Sequence, residues 1–174
     1  MRLFIAADLP PEVMESLAAT QSELRSTVRG RYCAPDSFHV TLAFLGETPA
    51  ACIPTTIDAM ERACARHSAI EAHLGQLGHF GKAHDATLWQ GFTEPAPFEN
   101  LARDVRRELT AAGLAFDTKP PKAHVTLMRR ADLSCGIVPM PAPGSGRVDA
   151  VTLYQSELSP SGPRYTPLHT TVLR

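Results

Sequence analysis

The sequence predicts an α+β fold in which a few helices pack against largely antiparallel sheets. Three observations carry that prediction. Short β-rich apolar runs recur from one end of the 174-residue chain to the other. Only three stretches show helical periodicity. Strand-like segments dominate the last third and no linker separates independent domains. A chain of this length buries a real core without disulfide or metal staples, as one domain or as two small lobes.

Residues 2–8 (RLFIAAD) form a short apolar run that reads as a core strand. Pro10-Pro11-Glu12 suits a helix first turn. Val13, Leu17, Leu24 and Val28 then follow at helical spacing, with Gly30 as the expected stop. Residues 38–45 (FHVTLAFL) are β-rich and bounded by Pro35-Asp36-Ser37 and Gly46. A second helix is expected over 55–67, with Ile57, Met60, Ala63 and Cys64 on one face. Segments 70–80 and 86–92 read as a hairpin around Gly81-Lys82-Ala83-His84-Asp85. The clearest helix is 97–112, where Phe98, Leu101, Ala102, Val105 and Leu109 share a face and Gly113 follows. A strand at 123–128, a Pro/Gly-rich loop at 139–146 and strands near 148–158 and 165–173 complete the chain. The loop is the most flexible-looking stretch.

Composition excludes several classes of function. Lys plus Arg is 17 and Asp plus Glu is 18, so the chain does not coat nucleic acid by bulk charge. The basic residues are 14 Arg and 3 Lys, and Lys119, Lys122, Arg129 and Arg130 gather near one another. Cys33, Cys52, Cys64 and Cys135 contain no C-x-x-C pair, which argues against a zinc knuckle and for reduced thiols in the cytoplasm. The apolar run at the start is broken at Asp8 and Pro10, too short for a signal peptide, and no stretch approaches a membrane span. Gly75, Gly78, Gly81 and Lys82 do not meet the spacing of a phosphate-binding loop. His67, His73, His79, His84 and His169 lack metal-ligand spacing.

One feature stands above this background. His39-Val40-Thr41-Leu42 recurs as His124-Val125-Thr126-Leu127, 85 residues later and close to half the chain length. Both copies fall in expected strands, as a duplicated fold requires. In a strand, residues i and i+2 share a face. Val40, Leu42, Val125 and Leu127 then anchor cores, while His39, Thr41, His124 and Thr126 face away from them. If the halves pack about a pseudo-twofold axis, the exposed faces meet across one cleft.

Two imidazoles and two hydroxyls suit displacement at phosphorus. The reaction needs a base on the nucleophile and an acid on the leaving oxygen, and histidine titrates near neutrality. Threonine hydroxyls can donate to the non-bridging oxygens. No metal or other cofactor is expected, because no H-E-x-x-H motif or aspartate cluster is present.

With these residues in place, the sequence resembles the two-histidine phosphoesterase superfamily, defined by paired His-x-Thr-x motifs. It is most similar to the branch of bacterial and archaeal RNA 2',3'-cyclic phosphodiesterases, also called 2'-5' RNA ligases. RLFIAADLP, FHVTLAFLGE, KAHVTLMRRA and RYTPL carry the likeness in the family's order over nearly the whole chain. The resemblance implies a single two-lobed domain over 1–174, with motifs at 39–42 and 124–127. Two antiparallel sheets with flanking helices would surround a central cleft. It implies hydrolysis of RNA 2',3'-cyclic phosphodiester ends to 2'-phosphomonoesters. His39 would be the proton donor and His124 the proton acceptor, although residue spacing alone leaves that assignment open.

Thr41, Thr126 and Arg129 would bind phosphate, and Phe44, Arg164 and Tyr165 would contact substrate. Phe44 and Arg129 each lie five residues after their motif histidine, an odd offset. They reach the cleft only if the strand ends or bulges first. RNA ends or nucleoside 2',3'-cyclic phosphates are the expected substrates, with no membrane and no obligate protein partner. A monomer is expected, because the pseudo-symmetry already lies within one chain. The alternatives are reversible 2'-5' ligation and a non-catalytic nucleotide-binding module. A metal hydrolase is disfavoured.

Overall fold

A computed structural model describes all residues, 1–174. Strands β1 (Arg2–Asp8), β3 (His39–Glu47), β8 (Ala150–Ser159) and β9 (Gly162–Val172) form one sheet in the order β3-β1-β8-β9. Strands β2 (Arg29–Tyr32), β4 (Ile70–Lys82), β5 (Asp85–Phe92), β6 (Val125–Asp132) and β7 (Ser145–Val148) form the other, ordered β2-β6-β5-β4-β7. Every pairing is antiparallel. The helices are α1 (Pro11–Leu24), α2 (Ile53–Cys64) and α3 (Ala96–Ala111). No helix is long and apolar enough to cross a membrane.

The duplication expected from the motif extends to whole elements. Adding 85 to the positions of β1, α1 and β3 lands, within a few residues, on β5, α3 and β6. The strand pairs match as well, β1 with β3 and β5 with β6. The helices are exchanged between the halves. Helix α1 follows β1 but packs against the sheet that carries β6, while α3 follows β5 but packs on β3. Each motif strand is thus backed by the helix of the opposite half.

Leu3, Ile5 and Ala7 of β1 belong to the apolar core, as do Val40 and Leu42 of β3 and Val125 and Leu127 of β6. Phe4 and Ala6, on the other face of β1, are buried but stand outside that cluster. Alternation along the strands therefore separates a helix-facing core side from a cleft side.

Several boundaries differ from expectation; the strand expected at 123–128 runs Val125–Asp132, and Ser145–Val148 forms a separate strand at the end of the expected loop. Helix α1 stops at Leu24, where the N–H groups of Thr27 and Val28 both turn to the Leu24 carbonyl. Gly30 is then not a helix stop but part of β2, an edge strand missed in the sequence because its residues RGRY are polar and few. Helix α2 closes at Cys64 rather than 67, because Arg66 and His67 donate to carbonyls three residues back.

The segment 139–146 is anchored rather than loose. Ala142 N donates to Thr20 Oγ1 at 2.9 Å, and Leu74 N donates to the Gly144 carbonyl at 2.8 Å. Gln90, fully buried, donates from Nε2 to Ala142 O and Gly75 O, each at 3.1 Å, and accepts from Thr20 Oγ1 at 3.2 Å. Ser145 already pairs with His73 as the start of β7. Replacing Gln90 by Leu removes the side-chain donor to the half-buried Gly75 and Ala142 carbonyls, while the Thr20 hydroxyl keeps Ser16 O and Ala142 N. A loss of about 1–3 kcal/mol in chemical denaturation is expected, with faster proteolytic cleavage between residues 133 and 144. Unchanged stability would show the segment held by other contacts.

Candidate active site

The two motif histidines are held in the same way. His39 Nδ1–H donates to the Ser37 carbonyl at 2.7 Å, and His124 Nδ1–H donates to the Lys122 carbonyl at 2.6 Å. Each ring is thereby fixed by the backbone two residues earlier, as the neutral tautomer with Nε2 free to accept a proton. His39 opens β3, and His124 stands one residue before β6. Thr41 Oγ1 lies 3.0 Å from His39 Nε2 and donates to it while the ring is neutral. His124 makes no matching contact with Thr126.

The odd offset of Phe44 and Arg129 is resolved by a bulge in each strand. On β3, Ala6 pairs with Thr41 and Ile5 with Ala43, so Leu42 is an extra residue. On β6, Trp89 pairs with Thr126 and Leu88 with Met128, so Leu127 is extra. Both members of each pair, Leu42-Ala43 and Leu127-Met128, are buried. A bulge of one residue reverses the alternation beyond it. Phe44 then returns to the face of His39 and Thr41, opposite Phe4, and Arg129 returns to the face of His124 and Thr126. A further irregularity follows at Arg130, whose φ is +53°.

Aromatic rings wall both imidazoles. Phe4 lies 4.9 Å from His39, Tyr165 stands edge-on to it at 5.5 Å, and Tyr154 stacks on Phe4 at 5.2 Å. Around His124, Phe80 is edge-on at 5.0 Å and Trp89 is at 5.8 Å. Lys122 Nζ sits 4.9 Å over the Trp89 ring. Gly78 makes room for that indole, since a Cβ there would clash with the Trp89 ring. The indole N–H is buried without a partner, beside a cavity of about 300 Å³ lined in part by Gln76, Glu99 and Lys122.

These walls shape the electrostatics. Burial drives the His39 pKa down to about 4, and the nearby charges of His124 and Arg129 push the same way. Burial also lowers His124, with Lys122 and Arg129 adding to the effect. Arg129 thus acts on both imidazoles, and it acts on Tyr165 and Cys33 as well. It forms no ion pair with a carboxylate in the protein, whereas Arg130 approaches Asp85 at 3.9 Å. Arg31 pairs across from Arg129 on β2 and adds a second cation to that edge of the cleft. No three His, Cys, Asp or Glu side chains converge where they could hold a metal ion.

The structure brings together His39, His124, Thr41, Thr126, Arg129 and Tyr165, and places Phe44 on the same face beyond the bulge, with Arg2 4.9 Å from its ring centroid. Arg164 is not brought in: it neighbours Tyr165 on β9, so alternation turns it to the opposite face, across from Glu157. Phe4 and Trp89 escaped the sequence reading, the first as an ordinary core residue. Their separation is 85, the motif spacing, which marks them as equivalent positions. Asp8 also escaped notice. It accepts from Tyr154 Oη at 2.7 Å and from Thr152 Oγ1 at 2.5 Å, and so steadies the stack that supports His39.

A buried neutral His39 has a consequence for stability. The unfolded chain binds its proton near the ordinary value of 6.5, but the folded chain only near 4. Between these values the unfolded state holds more protons, so stability falls as pH falls, by up to about 3 kcal/mol from this group. The contribution is complete above about 6.5 and no further loss arises below about 4. Denaturation across this range should give a shallower slope for His39→Gln than for the unmodified protein. Equal slopes would contradict the burial of a neutral ring.

Comparison with known proteins shows which family the chain is similar to. The family model described as "LigT like Phosphoesterase" matches residues 7–89. An RNA 2',3'-cyclic phosphodiesterase of Thermus thermophilus is 32% identical over 180 residues, covering 100% of this chain and 91% of the relative. The enzyme of the same name from Escherichia coli is 31% identical, covering 96% and 93%. Among solved structures, a Thermus thermophilus protein superposes with a TM-score of 0.82 at 32% identity, covering 100% of this chain and 98% of the other. Escherichia coli LigT complexed with 3'-AMP also gives 0.82, at 30% identity, covering 99% and 97%.

Proposed function

The chain belongs to the LigT-like phosphoesterases, and from that membership and the paired imidazoles we propose that it hydrolyses RNA 2',3'-cyclic phosphodiester ends to 2'-phosphomonoesters. One observation carries the reading. Both motif histidines spend Nδ1–H on a backbone carbonyl, which leaves two Nε2 atoms available for proton transfer in one cleft.

The reaction follows from that arrangement. His124 Nε2 takes a proton from water as the water oxygen attacks phosphorus. The bond from phosphorus to the 3' oxygen breaks, and His39, protonated at Nε2, gives its proton to that oxygen. The 2' ester remains. Thr41 and Thr126 donate to the non-bridging oxygens, and Arg129 supplies a forked, permanently charged donor. Tyr165 and Phe44 border the substrate, with Phe44 available to stack on a base. The chemistry needs no metal, because the acid and base are both side chains. With a 5' hydroxyl in place of water as the nucleophile, the same pair would join the 2' phosphate to that hydroxyl as the bond from phosphorus to the 3' oxygen breaks, the reaction of a 2'-5' ligase. A purely binding module would have no use for two imidazoles whose Nε2 atoms are kept for proton transfer. The protein is proposed to act as a monomer in the cytoplasm, consistent with four free cysteines.

The test is an RNA ending in a 2',3'-cyclic phosphate, incubated with the purified protein in EDTA. A 2'-phosphate product is expected, while a 3'-phosphate or dependence on added metal would sink the mechanism. His39→Ala and His124→Ala should each lower the rate by at least about a hundredfold. Near-normal turnover in either would remove that histidine from the chemistry.

The productive cleft carries one proton on the imidazole pair. In the substrate-free protein both rings are lowered, His39 to about 4. Thus kcat/KM should be largest between about 4 and the ordinary histidine value of about 6.5. It should fall above this window as the acid is lost and below it as the base is lost. The phosphate anion favours the charged imidazole, so kcat should peak at higher pH than kcat/KM. A kcat/KM plateau extending above pH 8 would contradict this account.

A further inference from the structure

Two helix side chains outside the acid–base pair both end on the motif strands. Gln21 of α1, 2% exposed, donates from Nε2 to the Leu127 carbonyl at 2.7 Å and to the Cys33 carbonyl at 2.8 Å. Arg106 of α3 donates from Nε to the Leu42 carbonyl at 2.9 Å and from Nη1 to the Lys119 carbonyl. Their targets are equivalent, for Leu42 and Leu127 are the extra residues of the two bulges. The donors are equivalent too, since Gln21 and Arg106 stand 85 residues apart, as Leu42 and Leu127 do.

The chemistry of a bulge explains why such donors matter. An extra residue interrupts the ladder locally, and a strand that relaxed to regular pairing would reverse every side chain beyond it. On β6 that reversal would carry Arg129 out of the cleft, and on β3 it would carry Phe44 out. A donor that binds the bulge carbonyl from the helix layer stabilises the bulged form, because regular pairing would take that acceptor from it, at greatest cost for Gln21, which is buried, and at less cost for the half-buried Arg106. Glutamine and arginine differ in charge and length, yet each offers N–H groups to a carbonyl at the same place in the repeat.

We propose that Gln21 is the positioning residue for Arg129, and Arg106 its counterpart for Phe44, each reaching from the helix of one half to fix the bulge in the motif strand of the other. The proposal rests on the reading of Arg129 as a phosphate ligand. Neither residue touches substrate, so each acts only through the side chain beyond its bulge.

A double-mutant cycle tests this directly. Inorganic phosphate binding by calorimetry, together with KM and kcat for an RNA cyclic phosphate, is measured for Gln21→Met, Arg129→Ala and the double variant. Methionine keeps the length of Gln21 and removes its donor. Gln21→Met should weaken phosphate binding and raise KM by about fivefold or more, and leave the pH limbs of kcat in place. In the Arg129→Ala background the same substitution should change phosphate binding by less than about twofold. An equal loss with and without Arg129, or no loss at all, overturns the proposal, as does phosphate binding indifferent to Arg129→Ala. If Gln21→Met folds poorly, Arg106→Met against Phe44→Ala gives the same cycle, read as KM for adenosine 2',3'-cyclic phosphate, with Arg106→Lys expected to restore part of the loss. Equal effects of Arg106→Met in both backgrounds overturn it there. Absent cyclic phosphodiesterase activity would refute the proposed function alone, since the phosphate cycle needs no turnover.

Discussion

Regular strand pairing and the chemistry of the cleft make opposite demands on the same residues. A strand places i and i+2 on one face and i+5 on the other. The proposed site needs His39, Thr41 and Phe44 together, and His124, Thr126 and Arg129 together. The bulges at Leu42 and Leu127 reconcile these demands by adding one residue to each ladder. Leu42 and Ala43 then both point into the core, as do Leu127 and Met128, so the bulge is stabilised by apolar burial on its helix side. Catalytic placement and core packing are therefore one structural event.

The exchange of helices between halves ties this event to the fold as a whole. Had α1 packed on its own half's motif strand, each lobe could form alone. Instead the β6 layer is completed by α1 from the first half, and the β3 layer by α3 from the second. Gln90 and Thr20 extend the same coupling to the segment before β7, and His67, in the turn after α2, meets Asp104 of α3 at 2.7 Å. A cleft between two lobes would ordinarily be free to open about a hinge. Here the backing of each wall comes from the half that supplies the opposite wall, which resists that freedom.

The same duplication governs what could be read from residues alone. Every strand with alternating or apolar character was legible, because burial on one face writes itself into the sequence with period two. The short edge strands β2 and β7 were not, since pairing with β6 and β4 rather than their own side chains defines them. The motif pair gave His39 and His124, and the odd offset of Arg129 already demanded a bulge. Phe4, Trp89, Gln21 and Arg106 were hidden for a different reason. Their residue types differ within each pair, so identity could not reveal them, although the 85-residue spacing places them in register. Arg164 fails for the converse reason. It lies next to Tyr165 in a matching stretch, but adjacency in a strand means opposite faces.

The electrostatics of the cleft turn near-symmetry into a working asymmetry. Two imidazoles walled by aromatic rings and sharing one arginine cannot both be charged at neutral pH, because burial and like charge oppose it together. The proton they share belongs to the pair rather than to either ring. A bound anion would remove its cost. A cyclic phosphate held by Arg129 and the threonines would offset the desolvation that keeps the rings neutral and so create the acid in the same step that positions the leaving oxygen. Binding of the correct charge would then generate the proposed acid. A chain of net charge -1 can achieve this with a few placed groups. What matters is the local imbalance around Arg129 and Arg31, where two cations share a strand pair and neither forms an ion pair with a carboxylate of the protein.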